Sequence, residues 1–556
     1  KRGMKRYTES HEGGRIYLAD GMDVKRKAAI PMAAMWQPGA LAEGKDEEVR
    51  SRADIREAAS VAHIYGQNIV AGESMTTAGN SFSPHPGSLK RTADMELASG
   101  LNRFVIHTSV HQPLDNLFPG LSLGPFGQWF TRQETWADQA HVWANYLGRS
   151  SYLLQQGKNV ADVLYYYGEN HNITALAKEA LPAIPAGYEF DYVNSSALRD
   201  AISFQKGRLL SLGGTTYRLL VLDASAQQMT LATLKRIFAL AKQGTSIAGV
   251  APVSSPSLAD NTEEFAQVLS QLKSLPTVLF GAKLEDVLAK QGVAPDVQVH
   301  KNQAEVLFQH RQGAGRDIYW LNSRSDLPNQ AQISFRIVGK NPRIYNPETG
   351  QISDVAYQTI NGRTWINFEF SPWDAQFIVF EGVATSKFRV KPRETIVQKI
   401  EITGPWHVKF QADRGAPAEI TLSNLISLNQ HDLAGVKYFS GAATYVNSLE
   451  IPALLAGEKI RLNLGEVKNL AEIYVNGQKV TTLWKQPFVT DISAFVHAGT
   501  NQIEVKVINS WVNRLIGDAQ KGAKKITYLS MPMMIQAGMP TETSGLLGPV
   551  TYERIK

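Results

Sequence analysis

The sequence predicts a multidomain protein, α/β first and all-β afterwards. It should hold the later part of a (β/α)8 TIM-type barrel, a small doubly wound α/β domain, and β-sandwich domains. Three observations predict this. Short apolar runs alternate with amphipathic stretches through roughly the first half of the chain, the order of βαβ units around a parallel sheet. After about His300 the helical periodicity stops, and short alternating strands separated by turn signals take over. The length, 556 residues, corresponds to roughly four domains at ~150 residues each.

In the first part, candidate strands are 30–36 (IPMAAMW), 68–74 (NIVAGES), 102–108 (NRFVIHT) and 162–168 (DVLYYYG). Such near-continuous apolar runs suit parallel strands buried on both faces. Helical patterns lie between them at 45–65, 89–99 and 135–156, the last ending at Gly157. Only about four units can be counted, whereas an eight-unit barrel takes ~250 residues. The expectation is a chain that begins inside the barrel, with a separate N-terminal fragment completing it. Residues 1–185 are assigned to the barrel.

Residues 186–299 carry a second α/β rhythm: strands at 218–223, 245–253 and 276–281, helices at 233–243 and 263–274. This reads as a flavodoxin-like sheet. No glycine-rich phosphate loop follows its strands, so it is assigned a supporting role. A sandwich is expected over 300–395, with turns at Asn346-Pro347, Gly350 and Asn361-Gly362. A second is expected over 396–556, where Asn476-Gly477 supplies a strong hairpin signal.

Composition narrows the function. Hydrophobic residues are 43% and charged residues 19% of the chain, the balance of a globular protein. There are 57 basic and 51 acidic side chains, a net charge of +6. That weak excess does not imply nucleic acid, which needs a clustered patch. No apolar run is long enough to span a bilayer. The absence of cysteine excludes disulfides, thiolate zinc sites, iron–sulfur clusters and a cysteine nucleophile. It also suits a bacterial exported protein, periplasmic or extracellular.

Active sites of parallel α/β barrels sit at the carboxyl ends of the strands. Reading those ends gives Glu73 after the second strand, His107 after the third with His111 in the following loop, and Glu169 after the fourth, followed by Asn170 and His171. Each has a plainer alternative. A glutamate after a strand can cap the next helix, and a histidine there can be a core residue bonded to a backbone carbonyl. His85, between two prolines, reads as a rim residue, and His63 as a packing residue. Two carboxylates across a polar cleft suit glycoside hydrolysis, one as general acid and one as base or nucleophile. Aromatics are dense nearby: Trp36, Trp129, Phe130, Trp136 and Tyr165 to Tyr167. They could stack on sugar rings or fill the core. No G-x-S-x-G elbow, H-E-x-x-H motif or EF-hand loop occurs.

Segments 58–76 (AASVAHIYGQNIVAGESMT), 85–113 (HPGSLKRTADMELASGLNRFVIHTSVHQP), 152–170 (YLLQQGKNVADVLYYYGEN) and 187–194 (GYEFDYVN) resemble, in order, glycoside hydrolase family 106, the α-L-rhamnosidases. Segment 487–518 resembles the galactose-binding-like jelly roll of this family and of family 2 glycosidases. The resemblance implies an inverting hydrolase that removes terminal α-L-rhamnose from a glycan or glycoside, with a calcium ion in the site. It implies Glu169 as a catalytic carboxylate, the base, and Glu73 as a second acidic position, catalytic or binding sugar or metal. His107, His111, Asn102, Trp36 and His85 would hold the sugar. One departure stands out: the strand PMAAMW has Ala34 where the family pattern carries a glutamate as candidate acid. Either this is an inactivated form that still binds rhamnosides, or Glu73 is itself the acid.

Overall fold

The computed structural model describes the chain except residues 1–2, 11–18, 38–44, 78–81, 125–129, 170–180, 302–303, 391–393 and 531–534, with the backbone alone for 45–47. Four parallel strands form the first sheet in the order β1 (Tyr7–Thr8), β2 (Ile30–Met35), β3 (Ala71–Ser74), β4 (Arg103–Ile106). A short helix α1 (Gly21–Lys25) precedes β2, and helices α2 (Lys45–Tyr65) and α3 (Pro86–Ala98) connect β2 to β3 and β3 to β4, the expected βαβ crossovers. Ala33 and Met35 of β2 pack on Ile55, Ala58, Ala59 and Ala62 of α2, so the alternate residue Ala34 belongs to the opposite face. Among the described residues this sheet has four strands. Its edge strand β4 is not buried on both faces, since Val105 and Ile106 are 40% and 38% exposed.

The fourth apolar run behaves differently from the expectation. Val163–Tyr166 does not extend the first sheet. It lies inside a five-stranded parallel sheet between Leu219–Leu222 and Phe190–Val193, with Ser246–Gly249 and Val278–Phe280 beyond. The passage between the α/β modules therefore falls near residue 160, not 185. The reason is local: Lys158–Asn159 pairs with the first sandwich at Gln312 and Arg311, and this hands the next strand to the second sheet. Nothing in the apolarity of DVLYYYG distinguishes one parallel sheet from another.

Helix α2 is shared between the sheets. One side packs on β2, while Ala53, Val61 and Ile64 join the core of the second sheet. Buried polar groups pin the junction. His63 Nδ1 lies 2.8 Å from Asp191, whose other oxygen accepts from Tyr217 at 2.9 Å.

Two sandwiches follow. The first stacks a five-stranded on a six-stranded antiparallel sheet around Tyr319, Phe335, Phe368 and Phe380. The second stacks a four-stranded on a six-stranded sheet, centred on the long pair Ala442–Ile451 and Gly499–Ile508. The second sandwich also reaches back to the first sheet. Trp511, fully buried, donates its indole N–H to the Gln133 carbonyl at 2.9 Å and packs with Phe82 and Phe118 from the loops after β3 and β4. Among the described residues no helix is long and apolar enough to cross a membrane.

Candidate active site

Register decides which side chains share a face. Ala34 of β2 pairs with Glu73 of β3, and Glu73 pairs with Val105 of β4. Two residues further along, toward the carboxyl ends, the same alternation puts Trp36 and His107 on that face. Glu73, Trp36 and His107 are all partly buried, and Ala34 is buried. Thus one carboxylate, one indole and one imidazole gather at the rim of the first sheet, around a position filled by a methyl group.

Several local features hold Glu73 in place. Thr76 donates its hydroxyl to Glu73 Oε1 at 3.0 Å. The chain can return that hydroxyl because Met75, between them, sits at φ +73° with its side chain fully buried. That left-handed conformation is one a non-glycine residue adopts only when its surroundings enforce it. Behind the strand, Gly72 leaves room for Leu101, whose Cδ1 would lie 2.3 Å from any added Cβ. Ser74 points the other way and donates to Glu96 Oε1 at 2.6 Å. Glu96 is fully buried, and burial pushes its carboxyl well above the usual range. Thr76 escaped the sequence reading; its signal is a hydroxyl three residues past a strand-terminal glutamate.

The partner strand is braced from its own side. The Ala34 N–H donates to Asp54 Oδ2 at 3.1 Å, standing in for a strand partner beyond the short β1. Asp54 is ion-paired with the fully buried Lys25, which also reaches Glu57 at 2.8 Å. Burial would lower the Lys25 ammonium, but the two carboxylates push it up to about 12.

Other expected site residues lie elsewhere. Glu169 ends a strand of the second sheet. It accepts from the Thr230 N–H at 2.6 Å and from the hydroxyls of Ser195, Thr230 and Thr233 at 2.7, 3.0 and 2.5 Å. Thr230 is the N-cap of the Leu231–Lys242 helix, so this carboxylate ties a helix start, the plainer role. The structure does not bring it together with Glu73 on one sheet. Asn102 is also corrected. It is 2% exposed and sits at the amino end of β4, where it accepts from the Val70 N–H at 2.9 Å and donates to the Asn68 carbonyl at 3.0 Å. A strand-start asparagine spent on backbone groups holds no sugar. His111 is exposed in the loop beyond β4, and His85 lines a separate cavity at the start of α3. Trp136, Tyr166 and Tyr167 are core, at most 2% exposed. Asn170, His171 and Trp129 lie outside the described residues.

Residues 1–359 match the glycoside hydrolase family 106 model, described as alpha-L-rhamnosidase, and residues 392–525 match the sugar-binding domain of family 2 glycosyl hydrolases. The first match takes in well over half of the chain. The chain belongs to the α-L-rhamnosidase family, glycoside hydrolase family 106. The solved rhamnosidase from Novosphingobium sp. PP1Y is similar at a TM-score of 0.92 and 39% identity, over 99% of this chain and 53% of that one. A putative beta-glucuronidase of Formosa agariphila is 24% identical over 88% of this chain and 63% of its own length. The chain therefore spans about half of the solved rhamnosidase and under two thirds of the curated relative.

Calcium, implied by the family resemblance, takes six to eight oxygen ligands. Among the described residues no three acidic or histidine side chains converge on one point, and Glu73 is the one carboxylate on the Ala34–Val105 face. These residues do not by themselves make a calcium cage, and no step below passes through the ion.

Proposed function

We propose that this family 106 chain cleaves terminal α-L-rhamnosides by general-base catalysis, with Glu73 as the base and no general acid at position 34. The observation that carries this reading is the in-register pairing of Ala34 with Glu73 beneath Trp36 and His107. Glu73, oriented by Thr76, is placed to take a proton from an attacking water. Trp36 offers an apolar face to the sugar ring, and His107 a hydrogen-bonding nitrogen, since its Nδ1 is buried without a partner among the described residues. Inversion, which the family resemblance implies, needs a second carboxyl ~6.5–9.5 Å from the base so that water fits between. A glutamate on the adjacent strand, ~4.8 Å away in the backbone, could splay to that distance; alanine cannot donate a proton at all.

The reading has a kinetic signature. Aryl rhamnosides with good leaving groups need little protonation and should be hydrolysed, whereas alkyl rhamnosides should turn over slowly. Glu73→Gln should lower the aryl rate by ~10²- to 10⁴-fold with an unchanged melting temperature. An unchanged rate would remove Glu73 from the mechanism. A form that binds rhamnosides without turnover is the second reading, favoured by Ala34; calorimetric binding with no rhamnose release from any aryl rhamnoside would select it.

A further inference from the structure

Behind the rim, where three modules meet, lies a cavity of about 620 Å³. Its walls come from Gln37 and the start of α3, from Arg324 and Trp373 of the first sandwich, and from Lys468 and Lys485 of the second. Its size falls in the range of small-molecule sites. Among the described residues its charge is one-sided: five lysines and arginines face it, against the acidic side chain of Glu48. Three of the five cations are matched within the protein. Lys90 pairs with Asp94 at 2.6 Å, Lys468 with Glu466 at 3.0 Å, and Lys485 with Glu348 at 3.0 Å.

Arg91 and Arg324 are different. Their guanidinium groups lie over the Trp373 ring, 4.3 and 4.7 Å from its centroid. Arg324 donates to the Arg91 carbonyl at 3.0 Å and to Asn322 at 3.3 Å. Neither guanidinium has a carboxylate within ion-pair distance among the described residues. Burial draws Arg324 below the usual arginine value. Two further polar atoms at the cavity, Trp373 Nε1 and His85 Nδ1, are buried without partners among the described residues. Burial and the nearby charges of Lys468 and Arg91 push His85 down to about 4, so its imidazole is neutral near pH 7. Two guanidinium groups with no ion-pair partner among the described residues, fixed by stacking and sharing one concave space, are a recognition device for a carboxylate or sulfate group.

We propose that this cavity binds an acidic sugar unit of a rhamnose-containing glycan, whose carboxylate or sulfate ester is held by Arg91 and Arg324. The assignment rests on the hydrolase reading for its substrate class. Met35 and Gln37 line the cavity and alternate with Ala34 and Trp36, so it lies on the face of the first sheet opposite Glu73. The acidic unit therefore sits away from the reacting bond.

The test is calorimetric titration of the whole chain at low salt with methyl glucuronide, glucose 6-sulfate, methyl glucoside and inorganic sulfate. At least one acidic sugar should bind saturably and methyl glucoside should not; which acidic sugar binds identifies the group. Arg91→Gln and Arg324→Gln should each weaken that binding about tenfold or more, within the range expected for a charge-assisted hydrogen bond. Arg324→Lys, which keeps the charge, should restore part of it. Arg91 is exposed, so its variant keeps the argument testable should Arg324→Gln unfold. Inorganic sulfate bound as tightly as either sugar, no binding at all, or binding indifferent to both arginines would overturn the proposal. Hydrolysis of a neutral aryl rhamnoside should be unchanged in both variants. Loss of the hydrolase reading would show in that assay, and loss of the subsite in the titration.

Discussion

At the scale of single residues, alternation along β2 and β3 explains most of the site. A side chain at 34 shares a face with Glu73 because the strands are parallel and in register; a shift by one would bury both against helices. Restoring a carboxylate there should therefore matter. Ala34→Glu should raise hydrolysis of an alkyl rhamnoside by ~10²-fold or more and that of an activated aryl rhamnoside much less. Equal rates for variant and parent on the alkyl substrate would mean that position 34 is not the acid. Glu134 supports a different prediction. It is 6% exposed, and burial pushes it up to about 8, opposed only by hydrogen bonds from Thr135. A folded value raised above the unfolded one stabilises fully below about pH 4.5, and that stability is lost as pH rises through about 8. Glu134→Gln should thus gain stability relative to the parent between pH 5 and pH 8.5, by up to about 4 kcal/mol. Thermal melts at the two pH values measure it.

At the scale of elements, the same local pattern has two outcomes. Glu73 and Glu169 both follow an apolar parallel strand, yet one stands on an open rim and the other ties down a helix. What separates them is what comes next. After β3 the chain turns through Met75 and leaves Glu73 with Thr76 as its one hydrogen-bond donor among the described residues. Beside the Val163–Tyr166 strand, two helix starts close over Glu169, one with the Ser195 hydroxyl and the other with those of Thr230 and Thr233. Glu169→Ala should then cost about 1–3 kcal/mol of stability and change the aryl rhamnoside rate by less than about tenfold, the reverse of Glu73→Gln. A collapse in rate with no change in melting temperature would return Glu169 to the site.

At the scale of the molecule, the modules act on one another. Helix α2 is packed by both parallel sheets, and the second sandwich inserts Trp511 beneath the loops that follow β3 and β4. Arg414 lies over both Phe118 and Trp511, at 4.6 and 4.4 Å, extending that wedge. A sandwich of the sugar-binding type is here also a support for the rim. Trp511→Ala should cost about 3–5 kcal/mol and lower the aryl rhamnoside rate as well, because the loops carrying Phe82 and Phe118 lose their anchor. Denaturation and kinetics on the same preparation check it, and full activity in a destabilised variant would show that the rim does not depend on the sandwich.

Sequence by itself determined the element types, the α/β-to-all-β order and the helices: α2 spans the same residues as its amphipathic pattern, 45–65. Those properties are written in hydrophobic periodicity and turn residues, which act over a few neighbours. Family membership was legible too, in long motifs that occur in order. Only the tertiary structure decided which sheet each parallel strand joins, and with it the placing of Glu169 and Glu73 on different sheets and the burial of Asn102. It also decided that Arg91, Arg324 and Trp373 meet. Apolar parallel strands look alike one at a time, and residues 91 and 373 share no local pattern; partners far apart in the chain are chosen by packing, which no short window of sequence contains.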